Sequence, residues 1–144
     1  MSLVDTLIVL AMLTQGGIAM LLLMRLGAIR VPLVMRGKVD MEAIALSREP
    51  WPEGEKRVSN AFDNQFQLPV LFYVACGLAL YLGAGWIAVV LAWLFVVTRV
   101  VHALIFITSN IVPWRSFAYS AGFVCLALLW LWLIVLAVTH LGAV

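Results

Sequence analysis

The residues best suited to chemistry in this chain of 144 residues are polar side chains at the edges of long apolar segments. One set recurs at i, i+4, i+7, i+8 and i+11, a spacing that places side chains on one face of a helix. Its members are Lys56, Asn60, Asp63, Asn64 and Gln67. A charged face that enters a membrane is costly unless its charges have partners, so we expect other helices to supply them.

A second set of polar residues lies further along the chain. A predicted helix face is shared by Arg99, His102, Phe106 and either Ser109 or Asn110. Arg99 precedes Ser109 by ten residues, which is roughly 15 Å along a helix. A cation at this depth requires an anion, which is either Asp63, the acidic residue expected within a span, or a bound ligand.

A third group, Arg115, Ser116 and Tyr119, lies at the predicted start of the last helix. The positive end of a helix, an arginine and a hydroxyl together suit an anion. The polar residues expected to meet at one membrane face are Arg25, Lys56, Arg57, Asn60, Asp63, Asn64, Arg99, His102, Asn110, Arg115, Ser116 and Tyr119. Cations outnumber anions here, which favours a small ligand with more than one carboxylate; the alternative is an ion-pair network that only holds the helices together.

Composition predicts the elements that position these residues. The chain is 65% hydrophobic and 11% charged, with a mean hydropathy of +1.12, whereas soluble domains have about 25% charged residues. Residues 6–24, 64–98 and 116–144 contain no Asp, Glu, Lys or Arg, and about 18 apolar residues suffice for a span. We predict an all-α integral membrane four-helix bundle, a single domain of residues 1–144. Its spans are expected at about 3–26, 57–81, 86–109 and 114–141.

The basic residues indicate how the spans are oriented. Seven of the nine Lys and Arg residues lie between Arg25 and Arg57, and the other two flank the short connection before the last helix. The opposite side carries Asp5 and neither Lys nor Arg. The positive-inside rule therefore predicts a cytoplasmic loop at about 27–56 and both termini outside. The short length and the lack of sorting signals favour a bacterial inner membrane.

Local signals give further expectations. Asp40 is a suitable N-cap for a short helix in the first loop, and Pro69 should kink the second span. Gln15 either bonds across helices or lines a site. Cys76 and Cys125 lie in predicted spans without the spacing of a metal site, so we expect both to be packing residues and predict no metal.

Three short motifs, taken together, are more specific than any of the local signals described above. They are Asn60-x-x-Asp63, Arg99-Val100-x-His102 and Pro113-x-Arg115-Ser116-x-x-Tyr119. Together with the four-span layout and the charged first loop, they resemble the MAPEG family, which includes the microsomal glutathione transferases and microsomal prostaglandin E synthase. The resemblance implies a homotrimer of four-helix bundles that binds glutathione between neighbouring subunits near the cytoplasmic face.

The resemblance also implies roles for individual residues. Asn60 and Asp63 would hold the glutathione backbone, with Asp63 binding its amino group. Arg115 and Ser116 would be catalytic, the first facing the thiol and the second donating a hydrogen bond to it. The predicted glutathione-binding residues are Arg25, Lys56, Arg57, Asn60, Asp63, Asn64, Arg99, His102 and Tyr119.

The implied chemistry is the activation of a thiol. A free thiol is mostly protonated at neutral pH, and a cation such as Arg115 in a low-dielectric site lowers the pKa of that thiol. The thiolate would attack an apolar electrophile or a lipid peroxide that arrives from the bilayer past Trp114 and Phe117. The expected activity is that of a membrane-bound glutathione-dependent transferase or peroxidase.

Departures from the family pattern keep an alternative open. Lys56, Asp63 and Phe106 stand where the family usually has Arg, Glu and Tyr. The chain could thus be a non-enzymatic membrane protein of the same type with a lost or altered anionic ligand. A proton-coupled exporter with four spans is disfavoured, because it needs an acid near mid-depth and the first helix has none between Asp5 and Arg25.

Overall fold

Four long helical segments, the second of them interrupted, make up this computed structural model, which describes residues 1–141. The α-helices are α1 (Leu3–Met35), α2 (Met41–Leu46), α3 (Glu53–Asp63), α4 (Leu68–Leu82), α5 (Gly85–Ile107) and α6 (Val112–Leu141), with a 3₁₀ turn at Asn64–Phe66. The stretches long and apolar enough to cross a membrane are Leu3–Met35, Glu53–Leu82, Gly85–Ile107 and Val112–His140. The predicted all-α fold with four spans is confirmed, and residues 142–144 of the predicted domain lie outside the described residues.

The first helix is longer than the predicted span, because α1 continues past residue 26 to Met35. Pro32 does not end it at once, since within the last turn a proline removes a single backbone hydrogen bond. The chain turns away at Gly37, whose φ of +60° suits glycine. As a result Arg30, which the sequence places in the loop, lies on α1 and pairs with Glu55 of α3.

The second span is broken rather than merely kinked. α3 ends at Asp63, the 3₁₀ turn follows, and α4 begins at Leu68. Pro69 lies in the first turn of α4, where an N–H would have no helical partner. The backbone of Gln67 leaves the helical region, with φ −103° and ψ −106°. Gln67 therefore does not share the helix face of Asn60 and Asp63, and the predicted five-residue face is wrong in this member.

Small side chains allow the helices to pack closely. Buried alanines one turn apart are Ala75 and Ala79 on α4 and Ala88 and Ala92 on α5. Such pairs let the backbones of membrane helices approach each other. Phe72 and Phe95 stack in the same core, with ring centroids 4.5 Å apart. Cys76 is fully buried there and Cys125 packs against it, both as free thiols.

Polar residues also connect the elements. Gln15 of α1 donates through Nε2 to Oε1 of Gln65 at 2.8 Å, which is the bond across helices that was one interpretation of Gln15. Gln65 in turn donates to the backbone oxygen of Ala61 at 3.0 Å and so fixes the 3₁₀ turn to α3. The short helix in the first loop is present as α2, and the side chain of Asp40 accepts from the Glu42 N–H at its start.

Candidate functional site

A cavity of about 270 Å³ lies where the second half of α5 meets the first turns of α6. Its lining residues are Asn64, His102, Phe106, Arg115, Ser116, Tyr119 and Ser120. The cavity is open on one side, and neither Asp nor Glu lines it. The structure thus brings the predicted residues of α5 and α6 together with Asn64 at the edge of the 3₁₀ turn.

Arg99 adjoins this cavity and has no exposed surface. Its Nη2 donates to the backbone oxygen of Asn64 at 3.3 Å, and its guanidinium lies 5.5 Å from the ring centroid of Tyr119. The other two nitrogens, Nε and Nη1, have no hydrogen-bond partner among the described residues. Of the two anions expected for Arg99, Asp63 is not its partner in the structure, because Asp63 pairs elsewhere. A buried cation with unpaired donors fits a bound anion.

His102 gives the cavity a hydrogen-bond acceptor beside this cation. Its Nδ1 lies 3.0 Å from the backbone oxygen of Arg115, and since a carbonyl can only accept, the proton is on Nδ1. In the neutral ring Nε2 is then an acceptor, and it is buried without a partner in residues 1–141. The rings of Phe106 and Tyr119 enclose the imidazole, each with its centroid 5.7 Å away. A ligand N–H, O–H or S–H group is the complement of this nitrogen.

Arg115 is held in place at the start of α6. Its Nη1 donates to Oδ1 of Asn110 at 2.6 Å, and its guanidinium lies 4.2 Å from the ring centroid of Phe106. The backbone of Asn110 has a φ of +50°, a conformation that asparagine tolerates better than most residues. Ser116, the next residue in the sequence, is exposed and lines the same cavity. A guanidinium and a hydroxyl from the first turns of α6 thus line one cavity.

The polar face of α3 is engaged differently, by the segment that precedes α3. Arg48 donates through Nη1 to Oδ2 of Asp63 at 2.5 Å and lies 3.5 Å from Oδ1 of Asn60. The hydrogen bond to Asp63 raises the pKa of Arg48. Lys56 pairs with Glu49, with Nζ and Oε2 3.6 Å apart. Three predicted binding residues therefore already have partners of complementary charge or hydrogen-bonding capacity.

Arg57 and Asn64 connect α3 to its neighbours. Arg57 donates to the backbone oxygen of Thr108 at 2.7 Å and forms an ion pair with Glu53 one turn earlier. It therefore ties α3 to the end of α5 and does not line the cavity. Asn64 lines the cavity and donates to the backbone oxygen of Asn60 at 2.9 Å, so it connects the cavity to the polar face of α3.

Arg25 lies at a different groove from the cavity beside Arg99. It is exposed on α1 and lines an apolar groove of about 430 Å³ between α1 and α5. Leu22, Val100 and Ile107 line this groove too, and it shares no lining residue with the cavity beside Arg99. Within one chain, Arg25 is therefore not part of the cluster that the sequence predicts.

An ion-pair site between α1 and α3 was missed by the sequence analysis. Arg30 and Glu55 pair with nitrogen and oxygen 2.6 Å apart, and the Glu55 side chain is fully buried. Arg30 also reaches the Ser59 hydroxyl at 3.3 Å and lies 5.1 Å from the Trp51 ring centroid. The spacing of Glu55 and Ser59, one helical turn apart, was an available signal. It was lost because the helix containing Glu55 was predicted to begin later.

Comparison with known proteins gives one family. A model of the MAPEG family matches residues 8–135. This range contains every residue of the cavity, Arg99 and the polar face of α3. No match was found among curated proteins or solved structures.

Proposed function

This chain belongs to the MAPEG family of membrane proteins in eicosanoid and glutathione metabolism, and from that premise we propose that it is a glutathione-dependent transferase or peroxidase. Glutathione would bind as an anion in the cavity between α5 and α6. Arg115 would stabilise its thiolate and Ser116 would donate a hydrogen bond to the sulfur. The apolar electrophile would reach the thiolate from the bilayer, past the exposed side chains of Trp114 and Phe117.

The observation that carries the proposal is the pairing of Arg115 and Ser116 at the edge of a cavity that no carboxylate lines. In a site of low dielectric constant a nearby guanidinium favours the charged form of a thiol and lowers the pKa of that thiol. The Arg115 guanidinium is fixed by Asn110 and Phe106, so it needs little reorganisation when the sulfur becomes charged. Arg99 would neutralise a ligand carboxylate with its unpaired nitrogens.

Two reactions are open to a thiolate at this position. In transfer, the sulfur forms a bond to an electrophilic carbon, and the displaced or ring-opened oxygen or halide leaves with its electron pair. In peroxide reduction, the sulfur attacks one oxygen of the peroxide, giving a sulfenic acid and an alcohol. A second glutathione then forms the disulfide and releases water. Both reactions begin with the same thiolate, which Arg115 is proposed to stabilise.

Titration of the purified protein in detergent with glutathione tests the proposal, with thiolate absorbance in the ultraviolet as the signal. Wild-type protein should give a saturable signal and turn over an electrophile such as a chlorodinitrobenzene. The change Arg115→Ala should lower turnover about 100-fold, the usual cost of removing a group that stabilises a developing anion. Arg36→Ala is the matched control, because Arg36 is exposed at the end of α1, away from the cavity. Full activity in Arg115→Ala would remove Arg115 from the mechanism.

A non-enzymatic binding protein is the second candidate function. The observation that favours it is the engagement of Asp63 and Lys56 by Arg48 and Glu49, since this leaves fewer free groups for glutathione. Under this alternative the cavity beside Arg99 holds another anion and no thiol chemistry follows. A folded sample that binds glutathione neither in calorimetry nor by thiolate absorbance would favour it.

The proposal includes an assembly and an orientation. Three copies would form a homotrimer in a bacterial inner membrane, with both termini outside and the segment between α1 and α3 in the cytoplasm. A neighbouring copy would then cover the open side of the cavity, where Ser116 and Phe117 are exposed, and could bring its own Arg25 near the ligand. The mass of the detergent-solubilised complex tests the trimer, and cysteine labelling from each side of the membrane tests the orientation.

A further inference from the structure

The exposed face of α3 has the charge pattern of a receptor for a zwitterion. Lys56, Asn60 and Asp63 follow one another at i, i+4 and i+7, so that a cation, an amide and an anion lie along one side of the helix. The side chains of Lys56 and Asp63 are 32% and 43% exposed, so both can be reached by a small ligand. The Lys56 and Asp63 side chains start about 10 Å apart along the helix, so a small zwitterion such as an α-amino acid group is the complement of this face if the long Lys56 side chain extends towards it.

The chain itself supplies that complement in two consecutive residues. The Arg48 guanidinium lies on the Asp63 carboxylate, with a nitrogen–oxygen distance of 2.5 Å, and the Glu49 carboxylate lies 3.6 Å from the Lys56 ammonium. Arg48 also approaches the amide oxygen of Asn60 at 3.5 Å. Arg48 thus places a cation on Asp63, and Glu49 places an anion near Lys56, as a bound zwitterion would.

We propose that Arg48-Glu49 is an internal mimic of the ligand's γ-glutamyl end and must leave the face of α3 before glutathione binds. This inference rests on the proposed function, because it takes glutathione to be the ligand. Asn64, the neighbour of Asp63, lines the cavity beside Arg115, so a ligand bound to Asp63 would extend naturally towards the thiol site. Arg48-Glu49 would therefore control entry to the same site and not a separate one.

The energetics suit a contact that opens readily. Both ion pairs are exposed, with the Arg48 and Glu49 side chains 58% and 92% accessible. Exposed pairs contribute little to stability, so the segment can detach at small cost. A competitor that occupies the binding face reduces the apparent affinity of the ligand by the fraction of time the face is blocked. Its removal should therefore tighten glutathione binding.

The test compares the glutathione dissociation constants of the full-length wild-type protein and Arg48→Ala/Glu49→Ala, by calorimetry in detergent. The double variant should bind about 2- to 10-fold more tightly, the range expected when two exposed ion pairs no longer compete. The matched control is Arg36→Ala/Glu42→Ala, which removes the same two charges from exposed positions in the same part of the chain. The control should bind like the wild type.

Glutathione analogues assign each half of the mimic. Glutaryl-Cys-Gly lacks the ammonium that competes with Arg48 for Asp63, so it should gain less from Arg48→Ala than glutathione does. In the same way 4-aminobutanoyl-Cys-Gly lacks the α-carboxylate and should gain less from Glu49→Ala. Equal gains for an analogue and for glutathione would mean that the segment acts by bulk alone and would overturn the charge mimicry.

The outcomes separate this inference from the proposed function. Wild-type binding that is unchanged in the double variant overturns the mimic and leaves the function intact. Weaker binding in the double variant also overturns it, since Arg48 or Glu49 would then be part of the receptor. No glutathione binding by the wild type, the double variant or the control overturns the function and the mimic together. Binding by the double variant alone would support both.

Discussion

Two arginines that contact neighbouring helices show how differently this protein treats its cations. Arg30, between α1 and α3, meets the Glu55 carboxylate at 2.6 Å and the Ser59 hydroxyl at 3.3 Å. Arg99, between α5 and α6, makes one hydrogen bond to a backbone oxygen at 3.3 Å and forms no ion pair within the described chain. Arg99 is nonetheless the more deeply buried of the two, with no exposed surface.

The difference separates a charge that the fold explains from one that it does not. A cation moved out of water loses several kcal/mol of solvation, and an ion pair of good geometry returns most of that loss. Arg30 forms such an ion pair with Glu55, so the fold explains its role. Arg99 has no such partner, and its Nε and Nη1, like Nε2 of His102 one turn further along α5, are buried without a hydrogen-bond partner among the described residues. A ligand anion bound to Arg99 would give it the kind of ion pair that Arg30 already has.

The largest effect should follow from breaking the paired region. Arg30→Ala leaves the buried Glu55 carboxylate without a cation, and such a change costs about 3 kcal/mol. The melting temperature of the protein in detergent, followed by circular dichroism, should fall clearly. Arg36→Ala, at the residue that follows α1, is the control and should leave the melting temperature unchanged, because Arg36 is exposed. Equal melting temperatures for the two variants would contradict the structural role of this ion pair.

The unpaired region should behave in the opposite way. Arg99→Met removes a buried cation without leaving any carboxylate alone, so the ligand-free protein should be as stable as the wild type or slightly more stable. Glutathione binding should weaken about 10- to 100-fold, the cost of losing a hydrogen-bonded charge on a ligand carboxylate. Melting temperatures and calorimetry on the same samples measure both. A variant that melts earlier and still binds normally would show that Arg99 is a structural residue.

Much of the fold could be predicted from the sequence because membrane spans follow from composition. Runs without charge gave the four spans, and Asp40 marked the start of α2. Helix ends were harder to predict, because the effect of a proline depends on its position in the helix. Pro32 lies in the last turn of α1, and Pro69 lies in the first turn of α4. The position of Pro69 tolerates proline, whereas α1 ends three residues after Pro32, so neither proline marks a helix end where a simple pattern places it.

The candidate site was predicted in its types of residue more than in its pairings. Helical periodicity placed Arg99 and His102 together, and the motif after Pro113 placed Arg115 and Ser116 at the start of α6. The sequence could not show that Asp63 would pair with Arg48, because residues in a connecting segment have no periodicity that fixes where their side chains lie. Arg30 and Glu55 were missed for another reason: both lie on helices, but the predicted spans ended before Arg30 and began after Glu55.

A single carboxylate beside Arg115 should give this arginine the kind of ion pair that Arg30 has. Asn110→Asp keeps the size of the side chain and its tolerance of positive φ, and it places an anion at the oxygen that Arg115 already contacts at 2.6 Å. The new charge competes with the thiolate, so it should raise the pKa of the bound thiol by about 1 unit, or about 1.4 kcal/mol. The thiolate signal, which is lost as pH falls through the pKa of the thiol, should then be lost at a higher pH than in the wild type. An unchanged pH profile would mean that Arg115 does not govern the charge on the sulfur.

The smallest predicted effect concerns the packing that brings α6 against Arg99. A Cβ on Gly122 would lie 2.7 Å from the Thr98 hydroxyl and 3.7 Å from Cδ of Arg99. Gly122→Ala should therefore destabilise the protein by about 1 kcal/mol, at the low end for overpacking, because the Thr98 side chain can shift. Gly77→Ala is the control, since nothing lies within 4 Å of its Cβ and alanine is the better helix former.

The double change Gly122→Ala/Thr98→Ala should recover stability by removing the atom that clashes. The double change should also restore any glutathione affinity that Gly122→Ala loses, because α6 then regains its distance from Arg99. Recovery of stability without recovery of affinity would separate the packing of α5 against α6 from the anion site, and Arg99 would then owe its position to α5 and the 3₁₀ turn alone.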